Sequence, residues 1–135
     1  MEPLFLDSAF VISLPFKADQ YYARAQATWT GVTAARRSFV TTTFILDEAV
    51  TILNGRGEHA LAVEIGNQFL TSPAIDMVDV DRALVKQAWT YFVNHSDKTY
   101  SFTDCISFVV MKQLAIFEAL TFDAHFRQAR LQMIP

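Results

Sequence analysis

Cysteine occurs once, as Cys105, so no internal disulfide is available and the composition suits a reducing compartment. No apolar run approaches the roughly 18–20 residues needed to span a membrane, and Met1-Glu2-Pro3 lacks the basic start of a secretory signal. The expectation is a cytoplasmic protein with no membrane partner. An excess of positive charge is also missing. Eleven basic residues against 14 acidic ones leave a net charge of −3, which argues against a general polyanion binder. A carboxylate cluster built to hold metal would bias that count the same way. The four glycines, Gly31, Gly55, Gly57 and Gly66, form neither a dinucleotide fingerprint nor a phosphate loop. No repeat, linker or low-complexity stretch interrupts the chain. Charged residues make up only 19% of it and hydrophobic ones 52%, which excludes disorder. A length of 135 residues suits one domain, 1–135, with a proper core.

What is present alternates between short apolar runs and helical periodicity. Leu4-Phe5-Leu6 reads as a buried strand ending at Asp7-Ser8, followed by a short helix to about Leu14 that Pro15 breaks. Tyr22, Ala25, Trp29 and Val32 place an amphipathic helix over Ala18 to Ala35. A brief extended segment, Phe39-Val40-Thr41, leads into a helix from Thr43 to Asn54, with Gly55 as its stop. Glu58 to Leu70 is a helix with Leu61, Ala62, Ile65 and Phe69 inward, and Ile75 to Val80 reads as a strand. Asp81 caps a helix to about Val93 that buries Leu84, Val85, Ala88 and Phe92. After the polar loop 94–99 come a helix over Ser101–Ala115, a strand near Ala119–Thr121, a short helix from Asp123 to about Ala129, and a last apolar run, Leu131 to Ile134. This alternation predicts an α/β fold, a three-layer α/β/α sandwich with a mainly parallel central sheet. Ligands in such folds gather at the carboxyl ends of the strands.

Four acids stand out against that frame. The helix beginning at Ser101 is apolar almost all round, with Ile106, Phe108, Val109, Val110, Met111 and Leu114, yet Asp104 sits at its start. A buried charge is costly unless paired or bound to metal. Asp7 and Asp123 each lie just past a strand, and Glu48 has Phe44, Ile45 and Ile52 as its helical neighbours, whereas Asp47 lies on a polar stripe. Taken singly, each acid has a plain structural role: a capping box with Ser101 for Asp104, an N-cap for Asp123, a turn for Asp7 and an ion pair for Glu48. Together they ask for a cation. Two carboxylates about 4 Å apart repel by roughly 4 kcal/mol at an effective dielectric of 20, and oxygen ligands suit Mg2+ or Mn2+.

These segments resemble a PIN-domain nuclease of the VapC-like toxin type. The resemblance rests on the strand ending in Asp7-Ser8, on Thr41-Thr42-Thr43-Phe44-Ile45-Leu46-Asp47-Glu48, on Tyr100-Ser101-Phe102-Thr103-Asp104, and on Leu120-Thr121-Phe122-Asp123-Ala124-His125-Phe126. It covers nearly the whole chain, and its last two motifs are the more specific. It implies an Mg2+- or Mn2+-dependent endoribonuclease with Asp7, Glu48, Asp104 and Asp123 as catalytic, metal-holding acids. It also implies RNA as substrate, a homodimer, and an antitoxin partner encoded alongside. The chain departs from the common pattern at Ala115-Ile116, where a glycine is often found.

Other residues carry weaker readings. His59, His95 and His125 lack metal-ligand spacing among themselves and read as surface or core residues. Cys105 reads as inert packing, and Asp97 with Lys98 as a solvated loop pair. Ser8, Thr103 and Thr121 are candidates to orient groups around a metal. Arg36, Arg37, Lys98 and Arg127 are candidates for RNA phosphate contacts, and Tyr22 with Trp29 for the lining of a partner groove. The rival to a nuclease is a PIN-like binding module that cuts nothing. A receiver domain wants paired acids after its first strand, and an aspartate-nucleophile phosphatase wants Asp-x-Asp. The chain has Asp7-Ser8-Ala9, which suits neither.

Overall fold

The structure, a computed structural model, describes residues 2–134. Along the chain run β1 (Leu4–Leu6), α1 (Ser8–Ser13), α2 (Tyr22–Ala34), β2 (Phe39–Thr42), α3 (Thr43–Gly55), α4 (His59–Thr71), β3 (Ile75–Val78), α5 (Arg82–Val93), α6 (Phe102–Gln113), β4 (Glu118–Leu120), α7 (His125–Gln128) and β5 (Gln132–Ile134). The five strands form one sheet in the order β3-β2-β1-β4-β5, and every pairing is parallel. Connections out to β3 run one way across the sheet, and those to β4 and β5 run the other. Right-handed crossovers therefore put α1–α4 on one face and α5–α7 on the other. This is the expected α/β/α sandwich.

Composition explains the layering. β1 lies at the centre with Leu4, Phe5 and Leu6 all buried, as a strand covered on both faces requires. Phe5, Phe10, Ile45, Leu53, Ile106, Met111, Leu120 and Phe126 fill the interior around it. The sheet reverses strand order between β1 and β4, and the crevice past their carboxyl ends is where such folds bind ligands.

Several elements differ from the sequence expectation. α2 begins at Tyr22, four residues late, because Asp19 Oδ1 accepts from the Tyr21 N–H at 2.8 Å and from Ser13 Oγ at 2.8 Å, holding that stretch in a turn. β3 stops at Val78, and the Val80 N–H donates to Thr43 Oγ1 instead of continuing the ladder. The final apolar run becomes the edge strand β5. Phe92 and Leu114, expected inside, are 39% and 50% exposed. Leu114 is the C-cap of α6, where the chain turns out of the helical spiral. Trp29 packs on Phe10 and Phe39 and rims a hollow of about 350 Å³ with Arg36 and Arg37. The larger groove, about 850 Å³, runs between α3 and α4 and includes neither Trp29 nor Tyr22.

Helix ends share one device. After α2, α3, α6 and α7 a residue takes positive φ, namely Arg36, Gly57, Ala115 and Arg130. The next N–H reaches back five residues in each case, as from Ile116 to Met111 O at 2.8 Å. These are Schellman closures. Gly55, expected as the stop of α3, is its last helical residue, and Gly57 carries the turn. Ala115 holds φ 53° where a glycine would be unstrained. Ala115→Gly removes a left-handed cost of about 1–2 kcal/mol against about 0.4–1 kcal/mol of added unfolded-chain freedom. The expected net gain of roughly 0.5–1 kcal/mol would show as a higher urea midpoint at unchanged slope.

Candidate metal centre

Asp7 follows β1 directly. Its N–H donates to Leu120 O at 3.1 Å and its C=O accepts from Val11 N at 3.1 Å, so the strand exit and the helix start together fix the side chain. Its Oδ2 accepts from Thr121 Oγ1 at 2.7 Å. Thr121 Oγ1 in turn accepts from the Asp123 N–H at 3.0 Å. One buried hydroxyl therefore links the acid after β1 to the acid after β4.

Asp104 sits in the first turn of α6, where the helix dipole favours a carboxylate. The capping box is realised. Asp104 N–H donates to Ser101 Oγ at 3.0 Å, and Ser101 N–H donates to Asp104 Oδ2 at 3.1 Å. Asp123 precedes α7 by two residues and does not cap it; its Oδ1 accepts from the His125 N–H at 2.9 Å. Glu48 is half-buried on α3 and accepts from Ser8 Oγ. Ser8 thereby connects Glu48 to the residue next to Asp7.

Electrostatics mark the centre. Burial pushes the Asp7 carboxyl up to about 7. The Thr121 hydroxyl opposes that rise, and the charges of Asp104 and Asp123 add to it. Burial also raises Asp104, with the His125 hydrogen bond pulling the other way. Thus Asp7, Asp104 and Asp123, drawn from three separate elements, lie close enough for their charges to interact. Asp104, Asp123 and His125 each offer a ligand atom, all within 4.8 Å of one another. Asp7 and Glu48 are both outside that tight group: Asp7 connects to it through Thr121, and Glu48 accepts from Ser8, the residue after Asp7. The donor set fits a hard divalent cation, since carboxylate oxygens dominate it and positive charge would relieve their mutual repulsion.

His125 is the residue the sequence reading missed. Its Nδ1 lies 2.9 Å from Asp104 Oδ2 and 3.5 Å from Asp123 Oδ1. The available signal was a histidine two residues after an acid at the end of a strand; zinc-type spacing templates do not contain it. The other two histidines are structural. His59 bonds Asn54 Oδ1, and His95 bonds Tyr91 O and stacks on the Tyr91 ring. Cys105 is buried, and its thiol is pushed up to about 11 by burial and then by Asp104, so it is inert packing. Arg37 donates to Glu2 O and pairs with Glu118 at 3.5 Å. With Arg36 it lies where β2 begins, at the sheet edge opposite the acids. Lys98 pairs with Asp97 in the loop that reaches His125 through Thr99, and Arg127 is exposed on α7. Of the four candidates for phosphate contacts, these two belong to segments on the acid side.

Comparison with known proteins agrees with this geometry. The family model for the PIN domain matches residues 4–131. VapC20 of Mycobacterium tuberculosis, described as a 23S rRNA-specific endonuclease, is 33% identical over 127 residues, 93% of each chain, in strains CDC 1551 and H37Rv alike. The crystal structure of that VapC20, described as a Sarcin-Ricin loop cleaving toxin, superposes with a TM-score of 0.85 at 30% identity, covering 95% of each chain. With its parallel sheet, its acids at the strand-order reversal and these matches over nearly its full length, the chain belongs to the PIN-domain family.

Proposed function

We propose that this PIN-domain protein is a metal-dependent endoribonuclease that hydrolyses RNA phosphodiester bonds as the toxin of a type II toxin–antitoxin pair. The observation that carries the reading is the convergence of Asp7, Asp104 and Asp123 from three elements onto one crevice. In our reading Asp7, Glu48, Asp104 and Asp123 hold Mg2+ or Mn2+. A divalent ion there would lower the pKa of a water and neutralise charge developing on the phosphate. The remaining work belongs to the chain. Thr121 and Ser8 orient Asp7 and Glu48, and Lys98 and Arg127 are placed to meet RNA phosphates. Likeness to VapC20, described as a 23S rRNA-specific endonuclease and a Sarcin-Ricin loop cleaving toxin, supports ribosomal RNA as the substrate and with it a cytoplasmic site of action.

This reading includes two protein partners, an antitoxin and a second copy of the chain. Two surfaces are apolar enough to receive them. One is the α3–α4 groove, with Leu46, Val50, Val63 and Leu70 along it. The other is the exposed Trp89–Phe92 stack, continued by Val93. The single-domain assignment to 1–135 is supported by one core cluster that runs from Leu4 to Phe126. Among the described residues no helix is long and apolar enough to cross a membrane.

The test is incubation of purified protein with large-subunit ribosomal RNA and with a mixed small-RNA pool, in Mg2+, Mn2+ or chelator. One dominant cut in the ribosomal RNA, abolished by chelator, is the expected result. Absence of cutting in every lane, together with no heat of Mn2+ binding, would favour the binding-module reading instead.

A further inference from the structure

His125 is held on every polar edge. Its backbone N–H donates to Asp123 Oδ1 at 2.9 Å, its ring Nδ1 lies 2.9 Å from Asp104 Oδ2 and 3.5 Å from Asp123 Oδ1, and its Nε2 meets Thr99 Oγ1 at 3.1 Å. Tyr100 packs edge-on against the ring, with centroids 5.4 Å apart. A surface histidine needs none of this. The residue sits between an acid on α6 and an acid after β4, two elements that approach each other only in the folded chain.

We propose that His125 is a positioning residue that sets the spacing of Asp104 and Asp123 for a divalent cation, with Thr99 fixing its ring. The inference rests on the metal-dependent reading above. An ionised carboxylate only accepts, so Nδ1 carries the proton toward Asp104. Nε2 then presents its lone pair to Thr99, whose hydroxyl donates. The contacts thus select one tautomer, and a single N–H lies between two like charges that would otherwise swing apart. The polar loop 94–99 is tied to the centre by the same ring. Partners of this kind, one step outside the metal, typically contribute 10–100-fold in metal affinity or activity.

The experiment is calorimetric titration of Mn2+ into the full chain and into His125→Ala, His125→Gln and His125→Asn, each with a thermal melt. An asparagine amide places an N–H near the Nδ1 position, whereas a glutamine amide falls nearer Nε2. Alanine and glutamine are expected to weaken Mn2+ by roughly 10–100-fold, and asparagine to restore most of that loss. Thr99→Val, which removes only the Nε2 partner, should cost a smaller factor and serves if the alanine variant does not fold. Equal Mn2+ affinity in all variants would overturn the positioning role while leaving the metal reading intact. Asparagine as weak as alanine would overturn it too, since the imidazole itself would then be the ligand. No Mn2+ binding by the unmodified chain would overturn both.

Discussion

Asp104→Asn should lower RNA cleavage by roughly 10³-fold, equivalent to about 4 kcal/mol of transition-state stabilisation, while the protein stays folded. The reason is that Asp104 carries two jobs which the substitution separates. Its capping role needs one oxygen to accept from the Ser101 N–H, and asparagine retains one. Its metal role needs negative charge facing Asp7 and Asp123, and asparagine has none. Removing one of three mutually repelling carboxylates should leave the melting temperature unchanged or slightly raised. Single-turnover cleavage beside a circular-dichroism melt measures both. Asp97, exposed and paired with Lys98, is the control: Asp97→Asn should change the rate by less than about twofold, as expected for a solvated surface pair. A variant at Asp104 that cuts within a few-fold of the original would remove this acid from the chemistry.

Metal-free protein should lose stability as pH rises from about 4 to about 7. Asp7 goes from an ordinary 3.8 to about 7 on folding, so across that window the native state binds a proton that the unfolded chain has released. The favourable term is fully present below 3.8 and is lost as pH climbs through about 7. At 1.36 kcal/mol per pKa unit the loss is about 4 kcal/mol. Asp104, also raised, adds to it in the same direction. Urea melts in chelator at a series of pH values should show the decline. Asp7→Asn should flatten it, and saturating Mn2+ at pH 7 should reverse it, because a cation takes over from the proton. A flat profile for the metal-free protein would mean that Asp7 is solvated in a way its 4% exposure does not suggest.

Much of this arrangement is readable in the chain because its causes are local. Leu4-Phe5-Leu6 has no polar position, so it can only be a strand covered on both faces. Ser101 and Asp104 are three apart, the spacing at which a side chain and a backbone N–H exchange bonds. The structure then brings Asp7, Asp104 and Asp123 together because Asp7 directly follows β1, Asp123 lies three residues past β4 and Asp104 sits in the first turn of α6. What escaped depends on tertiary placement. His125 gains its meaning from Thr99 and Asp104, 26 and 21 residues away. Glu48 reaches the centre through Ser8, 40 residues earlier. Arg36 and Arg37 looked like RNA contacts by charge alone, but the carboxyl end of α2 leads to the wrong edge of the sheet. Gly57, not Gly55, closes α3 because the helix runs one residue further than its periodicity suggested, with Arg56 as its C-cap.

The bond from Thr121 to Asp7 joins residues 114 positions apart, and it has a consequence for synthesis. β1 is the first strand made and lies at the centre of the sheet, paired on one side with β2 and on the other with β4. A chain emerging from the ribosome can complete the first pairing early, but the second waits for Glu118–Leu120. Until then Asp7 has neither its hydroxyl partner nor its neighbours Asp104 and Asp123. Long-range contacts of this kind form late, and chains fold from the amino end as they are made. A nascent copy therefore lacks an assembled centre until nearly all of it has been translated.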